Sequence, residues 1–317
     1  MKVVIAGGMG QVGGVAARAF QRGGNEVVVL SRKPISAGWR VAGWDGKSLG
    51  AWVEEVDGAD VVLNLAGRSV NCRYTPENRR LIMDSRVDST RVIGQAITQA
   101  SRPPKVWLQA STATIYCHRY DAPNDDNGTL GGEEPNAPDT WRFSIAVAKA
   151  WEQALNEANA PNTRKVALRS TMTMSPDSGG IFDTLLSLVR HGLGGKAGDG
   201  RQYVSWVHDR DFVRALYWII EHEDMAGAVN IAAPNPLPNA EFMATLRKAW
   251  GIRIGLPATI AMLEVGAVFL KTETELILKS RCVISSRLAE SGFQFQYPEW
   301  RDAAEDLCAR WSVIRNQ

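Results

Sequence analysis

Short apolar runs alternate with longer segments of helical periodicity through the first two-thirds of this 317-residue chain. The apolar runs are rich in Val, Leu, Ile and Ala, and each predicts a strand that is covered on both faces. The predicted strands are Val3–Ala6, Glu26–Leu30, Asp60–Asn64, Lys105–Gln109 and Lys165–Arg169. Helical patterns such as Val12–Arg22 and Asp84–Gln99 lie between them. The alternation predicts an α/β fold with a Rossmann-type doubly wound parallel sheet and helices on both of its faces.

The regular alternation ends near Asp177, and the chain beyond it predicts a smaller, mostly helical domain on the substrate side. Gly192–Gly200 is too rich in glycine for a helix or a strand and predicts a loop. Ala240–Trp250 and Ala258–Leu278 predict helices. The predicted domains are residues 1–176, with late sheet strands also contributed by about 202–232, and residues 177–317.

Charge and cysteine content exclude several classes of protein. The formal net charge is +2 and the basic residues are scattered, so we expect no nucleic acid and no membrane as a partner. The four cysteines lie far apart without metal-ligand spacing, and we expect neither a metal site nor a disulfide framework. The apolar stretch Ile254–Leu270 contains Pro257 and Glu264, which argues against a membrane span. We therefore expect a cytoplasmic protein.

The first predicted strand leads into a glycine-rich turn, and a helical pattern follows the turn. Gly7, Gly10 and Gly13 have the spacing G-x-x-G-x-x-G. Glycines here allow a tight turn, let the backbone approach a pyrophosphate and permit close packing of the helix on the strand. The pyrophosphate then meets the free N–H groups at the helix N-terminus, which include those of Gln11 and Val12. The turn predicts a dinucleotide site; the alternative is a tight turn that binds nothing.

The end of the second predicted strand indicates which dinucleotide is bound. Sites specific for NAD place an acidic residue there, whereas this strand ends in Ser31, Arg32 and Lys33. A hydroxyl and two cations suit a 2′-phosphate, so the sequence favours NADP(H) over NAD(H); a solvated basic turn is the alternative. The third strand ends in small residues that let the backbone lie against the adenosine half of the cofactor. These residues are Asn64, Leu65, Ala66 and Gly67.

These three segments together resemble the extended (atypical) short-chain dehydrogenase/reductase superfamily, of the NAD(P)-dependent epimerase/dehydratase type. Further segments resemble one branch of that superfamily, and residues 286–298 are similar to the small domain of unknown function that closes its chains. The further segments are Arg73–Arg80, Asp84–Thr90, Leu193–Gln202 and Ser205–His208. The resemblance covers essentially the whole chain. It implies a fold and a cofactor class, and it carries no substrate.

The chemistry that this resemblance implies depends on a Ser or Thr, a Tyr and a Lys, the last two spaced Y-x-x-x-K. Thr112 falls on the Ser/Thr position, with Ser111 beside it, and Lys149 falls on the lysine position. Ile145 stands where the tyrosine is expected, and isoleucine has no proton to donate. Lys149 retains the charge that holds the nicotinamide ribose; the alternative is a solvated helix cation.

Other side chains are candidates for the missing acid/base. Tyr116 ranks first because it follows Thr112 at the carboxyl end of a strand, where ligands of α/β proteins bind. His118 and Tyr120 lie on the same loop, and His208 lies in a segment that closes the substrate pocket in the superfamily. A structural hydrogen bond is the alternative role for each of them.

The sequence leaves the substrate unidentified. Arg169 and Arg201 suit a carboxylate or phosphate of a small polar substrate, and His208 is a further candidate for contact with it. Surface ion pairs are the alternative role of the arginines. Three hypotheses remain open: an NADP(H)-dependent oxidoreductase or epimerase, an enzyme with an atypical proton donor, and a catalytically inactive NADP(H) sensor. The expected partner is a small molecule, and the expected state is a monomer or homodimer.

Overall fold

A parallel sheet of seven strands organises the computed structural model, which describes residues 1–33, 38–269 and 273–315. The strands are β1 (Lys2–Ala6), β2 (Glu26–Ser31), β3 (Arg40–Gly43), β4 (Val61–Asn64), β5 (Val106–Thr112), β6 (Arg164–Ser170), β7 (Met172–Met174), β8 (Tyr203–Val204), β9 (Trp206–His208), β10 (Gly227–Ile231) and β11 (Leu237–Pro238). The large sheet has the order β3-β2-β1-β4-β5-β6-β10. From β1, successive strands are added first toward β3 and then, from β4 onward, toward the opposite edge. The order of the strands therefore reverses between β1 and β4, and folds of this type bind ligands in the crevice at that point. The prediction of a Rossmann-type doubly wound sheet is confirmed.

Helices cover both faces of this sheet. The helices of the described residues are α1 (Gln11–Arg22), α2 (Val53–Val56), α3 (Pro76–Gln99), α4 (Asp139–Glu157), α5 (Ile181–Arg190), α6 (Asp209–Glu221), α7 (Asn239–Trp250), α8 (Ile260–Phe269), α9 (Glu275–Leu278), α10 (Ser286–Glu290) and α11 (Trp300–Arg315). α1 packs with α6 on one face, and α3 packs with α4 on the other. α3 begins earlier than predicted because Thr75 caps it, accepting the Asn78 N–H at 3.3 Å, and Pro76 suits the first helical position.

Burial of the central strands on both faces explains their near-continuous apolar sequence. In β1, Val3 and Ile5 pack beneath α1 and α6, whereas Val4 and Ala6 point to the α3 face. All four side chains are fully buried. An apolar residue is therefore required at every position, which is the pattern that predicted strands covered on both sides.

α5 and helices that follow β10 form a helical layer with a core of its own. α5, α7 and α11 meet around Phe182, Phe242 and Trp300. The helix predicted over Ala258–Leu278 consists of α8 and α9 in the described residues, and residues 270–272 of it lie outside them. β10 and α6 belong to the large sheet and its layers although they follow residue 177 in the chain. The boundary at residue 176 stays a prediction.

None of the helices in the described part of the chain is both long and apolar enough to cross a membrane. The cysteines are free thiols: Cys282 and Cys308 are buried, while Cys72 and Cys117 are half-buried. Within the same residues no group of His, Cys, Asp and Glu side chains is arranged to hold a metal ion.

Candidate functional site

The turn between β1 and α1 requires glycine at two of its predicted positions. Gly7 has φ +77°, and a Cβ on it would lie 2.8 Å from the backbone of Leu65 and Ala66. A Cβ on Gly13 would lie 2.4 Å from the Gly7 carbonyl oxygen. The first glycine thus brings the turn against the end of β4, and the second lets α1 approach the turn.

The N-terminus of α1 has the features of an anion site. Gly10 precedes the helix with an extended backbone, no side chain caps it, and its first turn contains no acidic residue. The amide nitrogen of the Gln11 side chain is buried and has no hydrogen-bond partner among the described residues. A Cβ on Gly180, at the start of α5, would lie 2.4 Å from that nitrogen. Free backbone donors and an unpaired amide packed against a glycine fit the pyrophosphate of a dinucleotide.

The ends of β2 and β4 border this turn. Ser31 is buried and its Oγ donates to the Lys33 carbonyl at 3.0 Å, while Arg32 is exposed. Asn64 is fully buried, donates to Gln109 Oε1 at 3.0 Å and accepts the Ala66 N–H at 3.0 Å. The Asn64 side chain therefore shapes the β4 turn from within. Contact of these residues, and of Val12, Leu65 and Gly67, with a cofactor stays a prediction.

A cavity of about 120 Å³ opens beside Thr112 at the carboxyl end of β5. Its polar lining includes Thr112, Tyr74, Arg86, Ser144 and Glu275. The Tyr74 hydroxyl lies 3.4 Å from Ser144 Oγ, which in turn donates to Glu275 Oε2 at 3.0 Å. Burial, and then the nearby Glu275 carboxylate, raise the pKa of Tyr74 to about 12. The phenol is therefore protonated at neutral pH and is able to donate a hydrogen bond.

Helix α4 turns a different face toward this cavity than the Y-x-x-x-K spacing predicts. Phe143, Val147 and Trp151 line the cavity. Ile145 and Lys149 lie on the opposite side of the helix, beside the backbone of Gly131 and Gly132. Lys149 therefore does not line the cavity beside Thr112, and its placement gives no support to a role at the nicotinamide ribose. The i, i+4 spacing does place Ile145 and Lys149 on one face of α4, but that face points away from the cavity.

Tyr116 and Arg169 form a closed buried network. The Arg169 guanidinium pairs with both carboxylate oxygens of Glu152 at 2.8 Å and donates to the Tyr116 hydroxyl at 2.9 Å. The Tyr116 hydroxyl donates to Asn230 Oδ1 at 2.7 Å, and its ring is 1% exposed. Burial raises the pKa of Tyr116. These partners match the structural hydrogen bond that is the alternative role of Tyr116, whereas the ion pair of Arg169 is buried and not the surface pair expected as its alternative.

His208 is fully buried and holds the start of α6. Its Nδ1 accepts the Arg210 N–H at 3.1 Å, so Nε2 carries the proton and donates to Asp306 at 3.0 Å. The imidazole stacks on the Tyr297 ring at 3.9 Å, and burial lowers its pKa. These contacts give His208 a structural role and leave it without access to a substrate.

His118, Tyr120 and Arg201 lie together, and none of them lines the cavity beside Thr112. His118 Nδ1 accepts the Ser280 N–H at 2.9 Å, and its ring packs against Trp141 and Tyr120. Arg201 is exposed, and its guanidinium lies 5.8 Å from the Tyr120 ring. The groove that Tyr120 and Arg201 line does not contain Thr112.

Sequence reasoning gave no role to Tyr74, Arg86 or Ser144, which the structure brings together with Trp151 around the cavity. Tyr74 and Arg86 lie within segments that carried the family resemblance, so their segments were noticed although their side chains were not. Ser144 and Trp151 flank the Ile145–Lys149 pair on α4. Helical periodicity places Phe143, Val147 and Trp151 on a face of α4 different from that of Ile145 and Lys149. Considering every face of α4 as a possible neighbour of Thr112 is the way in which the sequence could have indicated Ser144 and Trp151.

The model of the NAD dependent epimerase/dehydratase family matches residues 3–232 of this chain. The chain belongs to this epimerase/dehydratase family. A second model, a domain of unknown function named DUF1731, matches residues 261–307. The resemblance drawn from the sequence, an epimerase/dehydratase-like chain closed by a small domain of unknown function, is confirmed.

Other members of the epimerase/dehydratase family match over the full length of the chain. The human epimerase family protein SDR39U1 is 31% identical, covering 98% of this chain and all of that protein. The epimerase family protein SA0724 of Staphylococcus aureus is 28% identical over 96% of this chain and 98% of its own. The crystal structure of human SDR39U1 (isoform 2) with NADPH is 28% identical and superimposes with a TM-score of 0.85, covering 98% of this chain and 99% of that one.

Both matched regions build the cavity of this epimerase/dehydratase-family chain. Thr112, Tyr74 and Ser144 come from the epimerase region, whereas Glu275 comes from the C-terminal region. Lys279 of the same C-terminal region donates to the Thr114 carbonyl at 2.7 Å. The C-terminal region therefore closes the cavity from one side and fixes the turn that follows Thr112.

Proposed function

We propose that this chain binds NADP(H) in the crevice between β1 and β4 and acts as an oxidoreductase or epimerase on a small polar molecule. The observation that carries the proposal is the uncapped N-terminus of α1 beside the unpaired, buried amide of Gln11. An unpaired buried donor is costly unless a ligand satisfies it, and a pyrophosphate does so. Membership of the epimerase/dehydratase family supports the same cofactor class.

Two features support NADP(H) over NAD(H). Arg32 and Lys33 are exposed and directly follow Ser31, the last residue of β2, where a 2′-phosphate is received and where NAD-specific sites carry an acidic side chain. The solved structure of the human relative contains NADPH. We assign the pyrophosphate to the amides of Gln11, Val12 and Gly13, and the 2′-phosphate to Ser31 and Arg32. When bound, the cofactor supplies the acceptance and donation of a hydride.

We assign the proton transfer to the Tyr74 hydroxyl, supported by Ser144, with Thr112 orienting the reacting oxygen of the substrate. Tyr116 and His118 are engaged in structural hydrogen bonds, and neither Ile145 nor Lys149 lines the cavity beside Thr112. Tyr74 lines the same cavity as Thr112 and carries a proton at neutral pH. Tyr74→Phe is expected to lower kcat by about two orders of magnitude or more while the Kd for NADPH is unchanged.

The first test is calorimetric titration with NADPH and, in parallel, NADH. We expect tight binding of NADPH, weaker binding of NADH, and loss of this preference in Arg32→Glu. Lys105→Glu is the matched control, because this exposed cation precedes β5 at the amino ends of the parallel strands, whereas Arg32 lies at their carboxyl ends. Binding of neither nucleotide by the unaltered chain contradicts the proposal.

A catalytically inactive NADP(H) sensor is the second candidate function. It is favoured by the apolar residues Phe143 and Val147, which α4 presents to the cavity where the superfamily's chemistry needs a tyrosine and a lysine. A panel of carbonyl, alcohol and nucleotide-sugar substrates with saturating NADPH or NADP⁺ separates the two. Turnover that is lost in Tyr74→Phe supports the enzyme; NADPH binding without any turnover supports the sensor.

A further inference from the structure

Arg86 brings a positive charge to the cavity without a carboxylate partner among the described residues. Its Nη1 donates to the carbonyl oxygens of Arg68 at 3.0 Å and Ile82 at 3.1 Å. These contacts hold the guanidinium in place but do not balance its charge. Its Nε and Nη2 donate to no described residue, so a second edge of the guanidinium is open for a ligand.

The acidic side chain that lines the cavity, Glu275, already has partners of its own. Glu275 pairs with Arg281 at 2.8 Å and accepts the Ser144 hydroxyl at 3.0 Å. Its charge is therefore balanced within the C-terminal region, and the cavity retains the charge of Arg86. Burial without a counter-ion also lowers the pKa of Arg86 to about 10. An anion that enters the cavity relieves this cost, because a buried charge is stabilised by a hydrogen-bonded partner of opposite sign.

The apolar walls of the cavity indicate the size and chemistry of the part of the ligand that is not anionic. The Arg86 guanidinium lies 5.0 Å from the Trp151 ring, and the Tyr74 and Phe143 rings meet edge to face at 5.1 Å. All three rings line a space of about 120 Å³. Such a space fits a small planar or branched apolar group attached to one anionic group, and it is too small for a nucleotide-sugar.

We propose that the substrate is a small carboxylic acid with an aromatic or branched apolar group, and that Arg86 binds its carboxylate. The proposal rests on the function proposed above. The carboxylate pairs with the open edge of the Arg86 guanidinium, and the apolar group packs between Trp151, Tyr74 and Phe143. This places the rest of the substrate beside Thr112, in reach of the Tyr74 hydroxyl. A phosphate of the cofactor has the same chemistry, so the experiment separates the two sources.

The experiment is calorimetric titration with benzoate, and with benzamide as its neutral isostere, on the full chain with and without saturating NADPH. We expect benzoate to bind at least about tenfold more tightly than benzamide, as a charge-assisted pair requires. In Arg86→Met, benzoate binding falls by about tenfold or more while the Kd for NADPH changes by less than about threefold. Arg86→Lys keeps the positive charge but loses the planar guanidinium that binds a carboxylate with two N–H donors, so an intermediate loss of benzoate affinity is expected. Arg91→Met, an exposed position on the same helix, is the matched control.

Equal binding of benzoate and benzamide by the unaltered chain overturns the proposal, and this result does not depend on any variant folding. Unchanged benzoate affinity in Arg86→Met overturns it as well. A parallel loss of NADPH affinity in Arg86→Met assigns Arg86 to the cofactor phosphates and also overturns it. If the unaltered chain fails to bind NADPH but binds benzoate through Arg86, the proposed function fails and the carboxylate site stands.

Discussion

Among single residues, Lys279 shows how folding changes the ionisation of one side chain. Lys279 is 2% exposed, and burial, with Arg281 nearby, lowers its pKa from 10.5 to about 8. Between these values the unfolded chain binds more protons than the folded chain, so the free energy of unfolding rises with pH. We expect a rise of at most about 3 kcal/mol across this window. Urea denaturation at several values from pH 7.5 to 9.5 measures it, and Lys279→Met is expected to remove most of the slope.

The Arg169–Glu152 pair allows a second residue-scale prediction. Because Arg169 is 7% exposed and bidentate, Arg169→Met leaves the Glu152 carboxylate without its partner in a poorly solvated place. We expect a loss of about 3–5 kcal/mol of unfolding free energy. The double variant Arg169→Met with Glu152→Met is expected to recover most of that loss. A single variant as stable as the parent chain would show that the pair contributes nothing.

The sequence shows which of these side chains are chemically capable of a functional role, but it does not show their hydrogen-bond partners. Arg169 and His208 were recognised as chemically capable, and either a substrate or a structural role was consistent with the sequence. The deciding partners, Asn230 for the network of Tyr116 and Asp306 for His208, lie 114 and 98 residues away in the chain. Only the packing of late segments on the sheet brings these groups together, and no local pattern encodes it.

At the scale of elements, the two adjacent glycines of α1 offer a matched test of the phosphate turn. A Cβ on Gly13 would lie 2.4 Å from the Gly7 carbonyl oxygen, whereas one on Gly14 would meet the flexible end of the Arg18 side chain at 3.3 Å. We expect Gly13→Ala to cost about 1–3 kcal/mol and to weaken NADPH binding. Gly14→Ala is expected to be neutral or to stabilise the helix slightly. Thermal denaturation and NADPH titration of both variants check this, and equal behaviour of the two would contradict it.

The long elements were predictable because their apolar patterns are strong, and the short ones were not. β1, β2, β4, β5 and β6 lie within a few residues of their predicted limits, since burial on both faces forces an apolar sequence. β3 spans Arg40–Gly43 at the sheet edge with no buried residue, so it lacks that pattern. The rotation of α4 was also beyond the sequence, because i, i+4 spacing identifies a common helix face without telling which neighbour that face meets.

On the scale of the whole molecule, hydrogen bonds tie the epimerase region to the C-terminal region. Asp126 accepts two donors of the C-terminal region, the Ser286 hydroxyl at 2.9 Å and the Arg287 N–H at 3.0 Å. Within the epimerase region it also accepts the Asn230 N–H of β10 at 2.6 Å. Glu273 accepts the Tyr74 N–H at 2.6 Å and so fixes one wall of the cavity. These links predict that the two regions unfold together rather than one after the other.

This cooperativity has a measurable consequence for ligand binding. NADPH at about one hundred times its Kd stabilises the folded chain by about 2.7 kcal/mol. If the regions unfold as one unit, the slowest-exchanging amides of α11, which lies outside the nucleotide crevice, gain the same protection from hydrogen exchange as those of α1. In Asp126→Ala the links to β10 and α10 are lost, and the gain in α11 is expected to fall below that in α1. Protection confined to α1 in the unaltered chain would instead mean that the helical layer opens independently. The hydrogen bonds from Lys279 to Thr114 and from Ser144 to Glu275 would then not be stabilised by the nucleotide.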